Sequence, residues 1–295
     1  MKNQADNLRQ IVQHMKKELQ LQFEGNTKKT RIITITSGKG GVGKSNLAVN
    51  LAIALAEYKK KTILLDADLG LANIDVILGI SPQDNLASVI FGEKNISEII
   101  CNGPRGIRII PGGSGMHELA NLKEWQLERF MTKLSHLEGT ADYLIIDTGA
   151  GLSNTVLSFA LSAEEIIVVA TPEPTSLTDA YGLIKTTREE RYQGKIYVIV
   201  NRVLSPAEAQ TAFSKLQTAV RRFLDYKIYY IGYVREDCKV IQAVQAQQPF
   251  VISHPLCSAA QDIKAIAAII ESQEYHPQTT GGMKEFFGKV SDCFR

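Results

Sequence analysis

The chain has 295 residues, 44% of them hydrophobic and 22% charged, with 33 Lys and Arg against 31 Asp and Glu. That is enough apolar material for the core of one large domain or two small ones, and it excludes general disorder. A net charge of +2 excludes a protein that coats nucleic acid through bulk charge. Cys101, Cys238, Cys257 and Cys293 form no CxxC pair. This argues against a disulfide framework, a zinc site or an iron–sulfur cluster carried by this chain alone, and it fits a reducing cytoplasm. No apolar run approaches the roughly 20 residues of a membrane span, and the polar start MKNQADNLRQ does not read as a signal peptide.

In chain order, residues 4–23 are predicted to form a helix, with Ala5, Leu8, Val12, Met15 and Leu19 in one apolar stripe. The polar EGNTKKT, residues 24–30, reads as a linker. RIITIT at 31–36 is β-branched and almost continuously apolar, as a buried parallel strand should be. Similar runs follow at 62–67, 107–111, 142–147, 165–170, 195–200 and 228–233. Helical patterns lie between most of them, including 46–58, 122–137, 176–190 and 206–224, and a last one covers 258–272. Alternating strands and helices predict an α/β, doubly wound, mostly parallel sheet with helices on both faces, in a domain spanning 31–272. Residues 273–282 read as a second linker and 283–295 as an amphipathic helical tail.

Directly after the first strand comes Gly38-Lys39-Gly40-Gly41-Val42-Gly43-Lys44-Ser45. It satisfies GxxxxGK[ST] with a strand before it and a helix after it, the context a phosphate-binding loop requires. The glycines let backbone N–H groups face phosphate oxygens, and the helix N-terminus adds positive field. Lys44 is expected at the β- and γ-phosphates of ATP or ADP, and Ser45 at Mg²⁺. Asp66 ends a buried strand, where an unpaired carboxylate is costly; Mg²⁺ with its water shell, or a lysine, would satisfy it. Asp68, two residues on, is placed to reach the attacking water. YLIID at 143–147 has the Walker B pattern, so Asp147 is expected to bind Mg²⁺ through water. Asn201 and Arg202 stand at the carboxyl end of a strand, where ligands sit in open α/β sheets. No NKxD guanine motif is present, which favours ATP over GTP.

KGGVGKS at 39–45, with DADLGLANIDVILG at 66–79, resembles the deviant Walker A ATPases of the MinD/ParA family. The resemblance covers about residues 30–270. It implies a homodimer formed with ATP, in which Lys39 crosses the interface to the partner's nucleotide. It also implies that Asn201 reads adenine, that Gly151 is the switch II glycine, and that hydrolysis is slow and dimer-dependent. The stretch Val234-Arg235-Glu236-Asp237 matches the family's loop beside the adenine, except that Arg235 stands where the family usually has Pro.

The ends narrow the branch. Met283, Phe286, Phe287, Val290 and Phe294 fall on one helix face. The tail is similar to the membrane-targeting helix of MinD-type proteins, which implies reversible attachment to lipid at the inner face of the cell membrane. Gln4-Ala5-Asp6-Asn7-Leu8-Arg9 resembles the DQAxxLR motif of the flagellar (FlhG) branch, with Asn3 in place of its Asp. That implies stimulation of an FlhF-type GTPase, with Gln4 and Arg9 facing the GTPase and Leu8 packing on it, and a working place among flagellar basal-body (C-ring) proteins. The alternatives are a division-site regulator of the MinD kind, which does not need residues 1–30, and a ParA-like DNA partition ATPase using Arg188, Arg191, Arg221 and Arg222. Such arginines more often form solvated helix faces, and nucleic acid is not expected as a partner.

Overall fold

The computed structural model describes residues 29–68, 73–92, 94–113, 129–130, 132–134, 136–273 and 282–293. The predicted N-terminal helix, with Gln4, Leu8 and Arg9, lies outside them, as do Phe294 and most of the predicted helix 122–137.

The described elements run β1 (Arg31–Ser37), α1 (Lys44–Glu57), β2 (Thr62–Ala67), α2 (Ile74–Leu78), α3 (Leu86–Ile90), α4 (Ile96–Ile99), β3 (Cys101–Asn102), β4 (Arg108–Ile110) and β5 (Tyr143–Ala150). Then come α5 (Asn154–Ser162), β6 (Glu165–Ala170), α6 (Pro174–Glu189), β7 (Lys195–Val203), α7 (Pro206–Leu224), β8 (Tyr229–Arg235), α8 (Cys238–Gln245), α9 (Phe250–Ser253), α10 (Ser258–Ser272) and α11 (Gly282–Cys293). One sheet has the order β3-β4-β2-β5-β1-β6-β7-β8. All pairings are parallel except β3 with β4. The seven predicted strands are all present. The antiparallel edge β3, at two residues, is too short to leave a periodic signal.

Burial on both faces explains the continuous apolar runs. Ile33, Ile35, Leu64 and Ile145 join α1 and α10 on one face. Their neighbours Ile32, Ile63, Leu65, Leu144 and Ile146 join Phe159 of α5 on the other. Farther along that second face, Ile166, Val168, Ile196 and Val198 pack with α6 and α7. Helix α1 is buried almost all round, from Leu47 to Leu55, which marks it as the central helix of the fold.

The tail helix is seated on the domain. Its apolar face, predicted to be available to lipid, is covered: Met283, Phe286, Phe287 and Val290 are 0%, 3%, 3% and 3% exposed. Helix α11 packs on α5, with the rings of Phe159 and Phe286 6.2 Å apart and those of Phe286 and Phe287 4.9 Å apart, edge to face. The Glu138 carboxylate accepts the backbone N–H of Met283 at the start of the helix, where negative charge is favoured. A stripe at i, i+3, i+4, i+7 states that a helix has an apolar face; it does not state what covers that face. No helix among the described residues is long and apolar enough to cross a membrane.

At the amino-terminal ends of the strands, buried Arg31 pairs with Glu165 at 2.9 Å. It also donates to the carbonyl of Ile270 at 2.6 Å and to the side-chain oxygen of Gln273 at 3.2 Å. The first residue of β1 is thereby tied to the end of α10.

Candidate functional site

The loop between β1 and α1 is wedged between two other elements. A Cβ on Gly38 would lie 2.2 Å from the Asp179 carbonyl of α6, so a side chain there is excluded. Gly43 has φ +89°, and a Cβ on it would meet the Asn201 amide at 2.4 Å. Helix α1 starts at once, with no side chain capping its first N–H groups, which leaves those donors for an anion.

Adjacent strands bring the acidic residues together. Asp66 at the end of β2 is in register with Asp147 of β5, and the two are 2% and 0% exposed. Buried Lys44 donates to Asp147 Oδ1 at 2.7 Å and lies 3.4 Å from Ser45 Oγ. The expected phosphate ligand is therefore paired with the expected metal ligand, and Asp147 has the lysine partner that the sequence allowed for Asp66. Burial pushes the Asp147 carboxyl up, while the Lys44 ammonium pulls against that shift. Burial, and then the charge of Asp147, raise Asp66 to about 7. Its carboxylate accepts the Asp68 backbone N–H at 3.1 Å.

Asp147 Oδ2 is buried and has no hydrogen-bond partner, an arrangement that costs about 1–3 kcal/mol until a donor arrives. Two carboxylates and a hydroxyl form a hard oxygen donor set, and water around a small divalent cation would supply the missing donor. Ser45, Asp66 and Asp147 thus fit Mg²⁺. Asp68 is half-buried, and its Oδ1 lies 3.4 Å from where a Cβ on Gly149 would be, so it stands beside the end of β5. The Gly151 N–H donates to the Ser37 carbonyl at 2.9 Å, tying the segment after β5 to the end of β1.

Lys39 turns toward its own chain. Its Nζ donates to Glu173 Oε2 at 2.9 Å and to Thr175 Oγ1 at 3.1 Å. Both partners are exposed, so the pair is salt-screened and readily exchanged. Hydrogen bonding to Lys39 holds the Glu173 carboxyl below its ordinary value. Sequence reading missed Glu173 and Thr175; they lie over 130 residues from Lys39, and no local spacing connects them.

Asn201 donates to the Val42 carbonyl at 2.7 Å, joining the phosphate loop to the predicted base site. Arg202 follows it with φ +57°. Both line a cavity of about 420 Å³ that also takes in Gly43, Leu47 and Arg235. Arg235 continues β8 as a strand residue.

Comparison with known proteins agrees with this geometry. Residues 28–271 match the family model ParA, described as NUBPL iron-transfer P-loop NTPase. The antiactivator FleN of Pseudomonas aeruginosa is 39% identical over 263 residues, 89% of this chain and 94% of FleN. The flagellum site-determining protein YlxH of Helicobacter pylori is 32% identical over 98% of each chain. The solved structure of the septum site-determining protein MinD complexed with Mg-ADP, from Pyrococcus horikoshii OT3, superposes with a TM-score of 0.65 at 26% identity, covering 82% of this chain and 96% of that one. The phosphate loop with its second lysine, the paired strand-end carboxylates and these matches together place the chain in the MinD/ParA family of P-loop ATPases, beside FleN and YlxH.

Proposed function

We propose that the chain is an ATP-dependent, dimerising, membrane-associating ATPase that regulates flagellar number or placement and stimulates an FlhF-type GTPase. The observation that carries the flagellar reading is the similarity to YlxH over 98% of both chains, which takes in the N-terminal segment that a division-site regulator does not need.

The reaction is ATP plus water to ADP plus phosphate. The N–H groups of residues 38–45 receive the phosphates, and Lys44 exchanges Asp147 for the β- and γ-oxygens. Ser45, Asp66 and Asp147 hold Mg²⁺, which when bound neutralises phosphate charge. Asp68 orients the attacking water. Lys39 leaves Glu173 and Thr175 and reaches the nucleotide of a second copy, so full charge neutralisation waits for a homodimer and turnover is slow. Asn201 and Arg202 belong to the adenine side.

Membrane attachment requires α11 to leave its groove. Its apolar face then exchanges protein for lipid, and two tails on one dimer bind together more tightly than one. The chain works in the cytoplasm and reversibly at the inner face of the membrane, near flagellar C-ring proteins. The test is GTP turnover by the FlhF-type GTPase of the same cell with the full chain or its Arg9→Ala variant. Stimulation that the variant loses supports the flagellar reading. No stimulation by either favours the second reading, a division-site regulator, which the likeness to MinD structures supports.

A further inference from the structure

We infer that Arg235 is a positioning residue for the nucleotide base: its clamp on Asp262 sets the wall of the base cavity, so it governs how tightly the nucleoside end of ATP is held. The inference rests on the nucleotide-site reading above.

Asp262 in α10 is 7% exposed. Arg235 satisfies it from three directions. The guanidinium fork donates Nε to Oδ2 at 2.8 Å and Nη2 to Oδ1 at 2.8 Å, while the Arg235 backbone N–H donates to Oδ2 at 2.9 Å. A proline here would offer neither the fork nor the N–H. The next two residues complete the stitching. The Glu236 N–H donates to the Val203 carbonyl of β7 at 2.9 Å. Asp237 accepts the N–H of Lys239, capping α8, and the N–H of Ser258, the first residue of α10, both at 2.9 Å. Residues 235–237 are thus fastened to β7 and α10 at the point where α8 begins.

Helix α8 needs that fastening. Ala243 is its one buried residue, so packing alone fixes its position weakly. It contributes Val240, Ile241 and Val244 to the cavity that Asn201 also lines. Ile241 is 61% exposed and Val244 39%, which leaves apolar surface open beside Asn201, as a flat heteroaromatic base requires. The distance between that surface and Asn201 depends on where β8 ends relative to α10, and the bidentate Arg235–Asp262 pair sets it. Such a fork has fixed geometry that a lysine does not reproduce.

The experiment measures binding of Mg-ATP and of Mg-tripolyphosphate, which lacks the base, to the full chain by calorimetry. Arg235→Ala alone leaves Asp262 buried and unpaired and risks misfolding, so the main variant is the double Arg235→Ala/Asp262→Ala, with folding checked by circular dichroism. The expected result is a loss of about tenfold in ATP affinity, with tripolyphosphate affinity within twofold of the parent, and partial recovery in Arg235→Lys. Equal losses for both ligands, or an ATP affinity unchanged in the double variant, overturn the inference. A parent chain that binds neither ligand overturns the nucleotide-site reading itself.

Discussion

Lys44, Asp66 and Asp147 are 6%, 2% and 0% exposed, and Met283, Phe286, Phe287 and Val290 are hidden to the same degree, yet the two sets are buried for opposite ends. At the nucleotide mouth Lys44 is paired with Asp147 alone, Asp66 stands in register beside it, and Asp147 Oδ2 has no partner. In the tail groove these four side chains sit in an apolar cluster, with Glu138 at the helix start. The carboxylate side of the mouth is short of donors and positive charge, so it gains by taking a hydrated cation, while the uncapped start of α1 gains by taking an anion. The groove is already filled by the chain's own helix, so opening it costs apolar burial of about 1.5–3 kcal/mol per large side chain. A site built to bind is left incomplete, whereas a site built to hold is closed.

The contrast breaks most readily at Lys44. Lys44→Ala should weaken Mg-ATP binding by about a hundredfold or more, equivalent to about 2.7 kcal/mol. Calorimetry checks it, and an affinity within threefold of the parent would remove the mouth as a phosphate site. At the groove, Phe286→Ala should cost about 3 kcal/mol of stability if α11 unfolds together with the domain. Urea denaturation reads the value, and an unchanged midpoint would mean that the groove opens before the domain does.

A smaller, pH-dependent effect distinguishes charge from carbon. Asp66, raised from 3.8 to about 7, is protonated in the folded chain over a range where the unfolded chain has lost the proton. Its contribution to stability is complete below about pH 4 and disappears as pH rises through 7. Without nucleotide or divalent cation, the Tm should therefore fall by a few degrees between pH 5 and pH 8, and Asp66→Asn should flatten that fall. Identical slopes for parent and variant would show that Asp66 is not strained by its burial beside Asp147.

The mouth was legible in the sequence because its parts are local. GxxxxGK[ST] joins β1 to α1, and Asp66 and Asp147 each close an apolar run. The pairing of those runs follows from parallel β-sheet rules, which is why Asp66 and Asp147 meet. Helix α8 was not legible: it is short, and the apolar residues Ile241 and Val244 lie open beside a cavity instead of in a core stripe. Nor were the partners of Lys39 and Arg235, which come from α6 with its preceding residue and from α10, and only the folded sheet brings them into reach. The tail stripe from Met283 to Val290 lies on one face of α11, but its covering depends on α5, over 120 residues upstream.

Arg31 has a consequence for the geometry of attachment. It binds the carbonyl of Ile270 and the side chain of Gln273, so the segment before β1 and the segment after α10 are rooted at one spot. That spot is at the amino-terminal ends of the strands, whereas Lys44, Asp66 and Asn201 work at the carboxyl ends. Eight residues, 274–281, separate Gln273 from α11, nine steps with a reach of at most about 32 Å at 3.6 Å per residue. The chain before β1 and the chain after α10 are thus leashed to a common post, on the pole opposite Lys44, Asp66 and Asn201.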